Sequence, residues 1–334
     1  MARARAPTGQ PVNHVQHVQH ADHVQHADHA EHVNHAEPMS SPGFVANLGR
    51  MTDYTVTVTG ATGKTGGHVA ALASARGWRV RAAGRRPAAH GEFTRLDWDD
   101  ETTWGAAFAG SDAAYIVIPF NHPGAPRRAP RLIEAAAGAG VRRVVLLSSA
   151  DVEHAPADDP TRVAEETCAR LPVASAAVRP TWFLDNFTVG SLAGMTAAGD
   201  LRLPAGDGRI PFVDVRDVAA VAVAALAEDG PTGALPVTGP AAVDHGAVAA
   251  ALGAALGRPV RYTSVSVDEF VALMAERGFS TEYGRFLGDA LADVAHGRLR
   301  VPVADTVERL VGRRPYTAAE FADHAARHGV MAAR

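Results

Sequence analysis

Three glycines spaced Gly60-x-x-Gly63-x-x-Gly66 enclose Lys64, the only lysine of the chain, and follow an apolar run, "TVTVT". This spacing suits phosphate chemistry. Gly60 permits a tight turn, Gly63 lets the backbone approach a pyrophosphate, and Gly66 permits close packing of the next helix on the strand. The helix start then offers N–H groups and partial positive charge to an anion. Thr62 and Thr65 complete the loop, and Lys64 is either an added cation at the phosphates or a side chain turned to solvent. A nucleoside-triphosphate loop is excluded, because its first glycine would stand where the chain has Val58.

A second set could move protons. Ser148 and Ser149 close the run "VVLLSSA", and His122 and His154 follow the fourth and fifth apolar runs. Ser149 and His154 are the catalytic candidates; the serines could equally just close a strand, and the histidines could lie on the surface. A tyrosine followed four residues later by lysine would be the ordinary acid for an alkoxide. The residue four before Lys64 is Gly60, so that pair does not occur in the chain. Hydride transfer without a tuned acid suits an acceptor that is already electron-poor, such as a quinone or an iminium ion. Cys168 reads as a small buried hydrophobe on a helix rather than a nucleophile.

The end of the second strand-like run separates two dinucleotides. An NAD site offers a carboxylate about 20 residues past the loop; here the chain reads Gly84-Arg85-Arg86. A guanidinium fork pairs with a 2′-phosphate, so NADP(H) is expected over NAD(H), with no flavin and no required metal. In "LDWDD", Asp97 and Trp98 stand where a side chain can meet adenine, and Asp99 and Asp100 read as a helix cap.

The elements that must hold these residues alternate. Strands are expected at 54–60, 78–85, 92–97, 112–119, 141–150 and 173–180, with helices at 66–77, 100–110, 129–140 and 159–171 between them. Such a series implies α/β architecture, a Rossmann-like doubly wound parallel sheet with right-handed crossovers. After residue 180 the pattern loosens into a smaller, mainly helical substrate region, with some strands returning to the sheet. Capping boxes are expected at Ser266–Glu269 and Thr317–Glu320, and Asp217 is placed to cap the helix of "VAAVAVAAL". The organisation expected is an extension over 1–50, a dinucleotide-binding domain over 51–180 and a substrate region over 181–334.

Composition narrows the classes further. The chain has 334 residues, 47% hydrophobic, with a formal net charge of −4. That gives no electrostatic case for nucleic acid or an anionic membrane. The apolar run "VAAVAVAALA" has half the ~20 residues a membrane helix needs. One cysteine excludes an internal disulfide and points to a reducing, cytoplasmic setting. Arginine so outnumbers lysine that a GC-rich coding bias is indicated. The first fifty residues place histidine at every third position from His14 to His35, a period that fits neither helix nor strand. They read as a disordered extension able to bind metal adventitiously, and Met51 stands directly before the first strand.

Together "VTGATGKTGGHV", "VVLLSSA", "VRPTWFLDNF", "PAGDGRIPFVDVRDVAAVA" and "RRPYTAAEFADHAA" resemble the NmrA-like branch of atypical short-chain dehydrogenases, over about residues 52–330. The resemblance is to the group holding NAD(P)H:quinone reductases and ergot-alkaloid-type imine reductases. It implies NADP(H) in the groove above the strand ends, beside Ile118, Pro119 and Ser148. It further implies that Pro180, Thr181, Trp182 and Phe183 line the nicotinamide and substrate side, with His122 and Asn186 at the substrate; read structurally, Trp182 and Phe183 could be plain core. Two functions follow: an NADPH-dependent reductase of a small electrophile, or a non-catalytic sensor of the dinucleotide that reports to a partner.

Overall fold

The computed structural model describes residues 53–120 and 122–331; the histidine-rich extension and Met51 lie outside the described residues. The strands are β1 (Thr55–Thr59), β2 (Arg79–Gly84), β3 (Glu92–Arg95), β4 (Ala113–Ile116), β5 (Arg143–Leu147), β6 (Ala174–Pro180), β7 (Asp200–Leu203), β8 (Arg209–Ile210), β9 (Gly233–Val237), β10 (Val243–Asp244) and β11 (Arg261–Ser264). Seven of them form one parallel sheet in the order β3-β2-β1-β4-β5-β6-β9. β1, β4 and β5 are buried along their whole length, as expected for parallel strands covered on both faces.

The helices are α1 (Lys64–Ala75), α2 (Trp104–Phe108), α3 (Ala125–Gly138), α4 (Pro160–Arg170), α5 (Ala193–Ala198), α6 (Val215–Leu226), α7 (His245–Leu256), α8 (Val267–Glu276), α9 (Thr281–Ala295), α10 (Thr306–Val311) and α11 (Ala318–Arg327). α1 and α6 pack side by side on one face of the sheet, and α3 packs with α4 and α2 on the other. The alternation in "TVTVT" serves this arrangement. Val56 and Val58 enter the α1–α6 core. Thr57 points to the other face, where its hydroxyl donates to Ala107 O at 3.1 Å. A third core gathers Trp182, Phe187, Phe212, Phe270 and Leu291 under α7, α8, α9 and α11. It carries a parallel β7–β11 pair and an antiparallel β8–β10 pair.

The second half of the chain also completes the first sheet. α6 covers it, and β9 pairs with β6 in register from Ala176–Gly233 to Pro180–Val237. Arg143, the buried first residue of β5, fastens this return. Its guanidinium donates to the carbonyls of Ala225 (3.2 Å), Glu228 (2.9 Å) and Pro231 (3.4 Å), beyond which the chain enters β9. Carbonyls at a helix C-terminus are natural acceptors for a cation.

The starts of α3 and α6 differ from the sequence expectation. α3 begins at Ala125, four residues early, because His122 Nδ1 accepts the N–H groups of Gly124 and Ala125. α6 is capped by Asp214, not Asp217, and Asp214 accepts the N–H of Arg216 at 2.8 Å. Asp217 instead is fully buried and receives Arg313 at 2.6 Å and the N–H of Tyr316 at 2.8 Å. The reciprocal capping box at Thr317–Glu320 is formed, and Ser266 accepts the N–H of Glu269. No described helix is long and apolar enough to cross a membrane.

Candidate functional site

The glycine loop joins β1 to α1 at the C-terminal edge of the sheet. Gly60 sits at φ +64°, in the left-handed region, and a Cβ there would meet Val117 at 3.3 Å. The N–H of Gly63 donates to Gly60 O at 2.9 Å and closes the turn. A Cβ on Gly66 would fall 2.2 Å from Gly60 O, so only glycine fits where α1 meets the loop.

The long helices α1 and α3 both start on a glycine N-cap, but at α3 His122 accepts the N–H groups, so the start of α1 differs from the rest. Its N-cap is Gly63, and no side chain caps it. Asp159, Asp214, Asp244, Ser266, Ser280 and Thr317 cap α4, α6, α7, α8, α9 and α11. The first turn of a helix has N–H groups without intrahelical acceptors, and at α1 no N-cap side chain takes them up. Thr62 is exposed on the loop, while Thr65 is buried behind it.

Lys64 is half-buried. Its Nζ donates to Asn186 Oδ1 at 2.9 Å, joining the first turn of α1 to the 184–187 turn. Asn186 is 2% exposed, and among the described residues its Nδ2 has no hydrogen-bond partner.

Arg85 and Arg86 are exposed at the end of β2, the rim beside the loop. Asp97 and Trp98 face inward to their own segment. Asp97 Oδ1 accepts the N–H of Asp99 at 3.1 Å, and its carbonyl accepts Trp104 Nε1–H at 2.8 Å. Trp98 is 9% exposed and meets Trp104 edge-on at 6.4 Å. Of the expected cap pair, Asp100 caps the 101–103 turn, whereas Asp99 binds Arg128 and His122.

Ile118 is buried in the core and Pro119 is half-buried, its carbonyl accepting the N–H of His122 at 2.9 Å. His122 has both ring nitrogens engaged, Nδ1 at the start of α3 and Nε2 with Asp99 at 3.1 Å. In the structure His122 caps the start of α3.

Ser148 and Ser149 diverge at the end of β5. The Ser148 hydroxyl donates to the carboxylate of Glu165 on α4, which Arg179 of β6 holds with two bonds of 3.0 and 2.6 Å. Ser149 donates to Asp151 Oδ1 at 2.7 Å. His154 is exposed on the 152–154 turn.

After Pro180 the chain runs as a strap along residues 211–213. Thr181 Oγ1 donates to Pro211 O at 2.6 Å, and the N–H of Val213 donates to Trp182 O at 2.9 Å. Trp182 and Phe183, expected at the pocket or in the core, are each 2% exposed and fall into different cores. The Nε1–H of Trp182 has no acceptor among the described residues.

Sequence reasoning passed over the charged residues beside the strap. A cavity of ≈ 60 Å³ lies between α1, α6 and α11, lined by His68, Asp185, Asp214, Arg216, His324 and His328. Asp185 accepts the N–H of Val215 at 3.1 Å. Burial raises its pKa, as does neighbouring Asp214, against the pull of Lys64 and Arg216. Burial also lowers His68 and pushes His324 down to about 4, with Arg216 adding to the latter. The only available signal was Asp185 standing next to Asn186 in "FLDNF". No group of three or more His, Cys, Asp or Glu side chains among the described residues could hold a metal.

Known proteins resemble this arrangement along its length. A reductase of (4-alkanoyl-5-oxo-2,5-dihydrofuran-3-yl)methyl phosphate from Streptomyces griseus is 36% identical over 288 residues, 82% of this chain and 97% of that protein. An NAD(P)H azoreductase from Xenophilus azovorans is 34% identical over 241 residues, 70% of this chain and 82% of that protein. The fold is shared with the NADPH complex of an NADPH-dependent quinone oxidoreductase from Escherichia coli. That likeness has a TM-score of 0.68 at 24% identity, covering 80% of this chain and 99% of that one. The NmrA-like family matches residues 52–287. The chain belongs to the NmrA-like family.

Proposed function

We propose that this chain is an NADPH-dependent oxidoreductase that delivers hydride to a small electrophilic organic acceptor, a quinone or an imine or iminium compound. The observation that carries the reading is the uncapped start of α1, set behind two sterically required glycines at the C-terminal edge of a parallel sheet. Those N–H groups fit a pyrophosphate, and the exposed Arg85 and Arg86 fit a 2′-phosphate. Bound there, NADPH supplies the hydride. Pro119, Ser149, Pro180 and Thr181 stand at the strand ends where the nicotinamide side of such a site opens. The strap of 181–187 packs between the sheet and the third core, so its residues can orient an acceptor and exclude water. The reductase activities named for the Streptomyces and Xenophilus relatives support the same reading.

The chain has no tyrosine–lysine pair to protonate an alkoxide, and Ser149 is already donating to a carboxylate. An acceptor that takes hydride first and a proton from water therefore fits better than a simple ketone. A screen of NADPH oxidation over quinones, imines, enones and aliphatic ketones tests this. Consumption with a quinone or cyclic iminium compound, and deuteride transfer from labelled NADPH to product, is expected. NADPH that binds but is consumed with no acceptor would replace the reductase by a dinucleotide sensor.

A further inference from the structure

The cavity beside the strap has no part in the reductase reading. It measures ≈ 60 Å³ and draws its walls from four stretches of chain. His68 comes from α1, Asp185 from the strap, Asp214 and Arg216 from the start of α6, and His324 and His328 from α11. Several of its polar groups are unmatched. Arg216 holds Asp214 through Nε and Nη2, but its Nη1 makes no hydrogen bond among the described residues. Nor does the ring of His68 or of His324. Polar groups inside a fold are normally matched by protein, water or a bound group. Here three unmatched side chains converge from three helices.

We propose that this cavity is a binding site for one small oxyanion, a phosphate or a small carboxylate, held by Arg216, His68 and His324 and joining α11 to α1 and α6. The inference stands apart from the reductase reading. At ~10–15 Å³ for each water-sized group, the space takes about four to six such groups, the size of an ion of this kind. The charges allow an anion. Asp214 is answered by Arg216. Asp185 accepts the N–H of Val215, and burial, then Asp214, hold its carboxyl above the usual range, so near neutrality it can carry a proton and donate. Burial holds His68 and His324 below the usual imidazole range, and an anion beside them favours their protonation. His328 gives its Nδ1–H to His324 O at 2.8 Å, so its Nε2 donates only as imidazolium. The other charges acting on these groups are Lys64 at Asp185, His90 at His68 and Arg327 at His324. Binding should therefore take up protons, and the Arg216 guanidinium at the wall disfavours a cation.

The test titrates sulfate, whose charge is constant near neutral pH, into the full chain by calorimetry. Affinity should rise at least about tenfold as the pH is lowered by about two units from about 8, the signature of proton uptake. Phosphate and acetate are titrated in the same way, and the tighter of the two names the source of the oxyanion. His68→Leu and His324→Leu, on different helices, should each weaken sulfate at least about tenfold. An ion held at the glycine loop or by the histidine-rich extension would be untouched by either substitution. Selenate, which scatters X-rays anomalously, gives a second measurement that needs no variant. In wild-type crystals grown with it, the ion should lie within hydrogen-bond reach of Arg216. Three results would each overturn the inference. They are no binding of sulfate or an affinity independent of pH, unchanged affinity in both folded variants, and a cavity that holds ordered water only in the selenate-grown crystals.

Discussion

Gly66→Ala and Gly67→Ala, neighbours in the first turns of α1, should have opposite effects. At Gly66 the new Cβ falls 2.2 Å from Gly60 O, 2.6 Å from Gly60 C and 3.1 Å from Ala61 N. All three atoms are backbone, so no side chain can rotate away. Carbon–oxygen contacts settle near about 3.3 Å, and the loop must therefore retreat from the helix by about 1 Å. Overpacking of this kind costs roughly 1–3 kcal/mol, offset by about 1 kcal/mol for replacing glycine by alanine in a helix. The net loss of stability should be modest, about 0–2 kcal/mol. Binding should suffer more. A 1 Å shift, on the order of that estimate, breaks hydrogen bonds from the loop to phosphate. Two charge-assisted bonds at about 1.5 kcal/mol each amount to about a hundredfold in affinity. At Gly67 the Cβ would meet only Ala61 O, at 3.4 Å. That variant keeps the loop in place and gains up to about 1 kcal/mol of helix propensity. Urea unfolding and titration of NADPH by fluorescence measure both quantities. Folded Gly66→Ala binding NADPH as tightly as Gly67→Ala would refute the steric argument and, with it, this loop as the phosphate site.

Gly63 has φ −96° and ψ 177°, which alanine adopts without strain, so Gly63→Ala should fold normally by circular dichroism. If its backbone closes on the pyrophosphate, the methyl group intrudes and NADPH binding is lost; unimpaired titration would count against that approach. Replacing Arg85 and Arg86 together by alanine should weaken NADPH about ten- to hundredfold while leaving NADH nearly unchanged, and equal weakening would mark the arginines as structural. His245 is fully buried among Phe187, Phe212 and Tyr262, with neither ring nitrogen bonded among the described residues. Burial pushes its pKa from 6.5 down to about 4. The unfolded chain then binds the extra proton first, so stability falls as pH drops from about 6.5 toward 4, by about 3 kcal/mol at the lower end. His245→Phe should flatten that part of the stability–pH curve, and an unaltered slope in urea unfolding would show that other groups set it.

How much of this could be read from residue order depends on distance along the chain. The sheet was legible because each strand and its crossover helix carry a local period and end at a turn. The roles of Gly60 and Gly66 were legible for the same reason, since a positive φ and a close approach each leave glycine as the only fit. The start of α3 was not, because an imidazole three residues upstream supplies the cap and no preference for Ser, Thr, Asp or Asn announces it. The partner of Lys64 was hidden by 122 intervening residues. Trp182 and Phe183 show the remaining difficulty. Neighbours on an extended strap point to opposite sides, and here each side is a core, so apolar character alone could not tell pocket from interior.

The return of β9 to the sheet also bears on how the protein is made. β6 ends at Pro180 and is covered on its outer edge only when Gly233–Val237 arrives. On the ribosome, at about 5–20 residues per second, that gap lasts on the order of several seconds. Throughout it the nascent chain presents a row of unpaired N–H and C=O groups along β6, the kind of edge that recruits other strands. The strand carries its own protection in ending in proline, which has no N–H to offer. Closure comes when α6 has formed and the guanidinium of Arg143 gathers the carbonyls that lead into β9. Slowing translation between residues 180 and 237 should therefore lower the yield of native protein, and weakening Arg143 should make that loss worse.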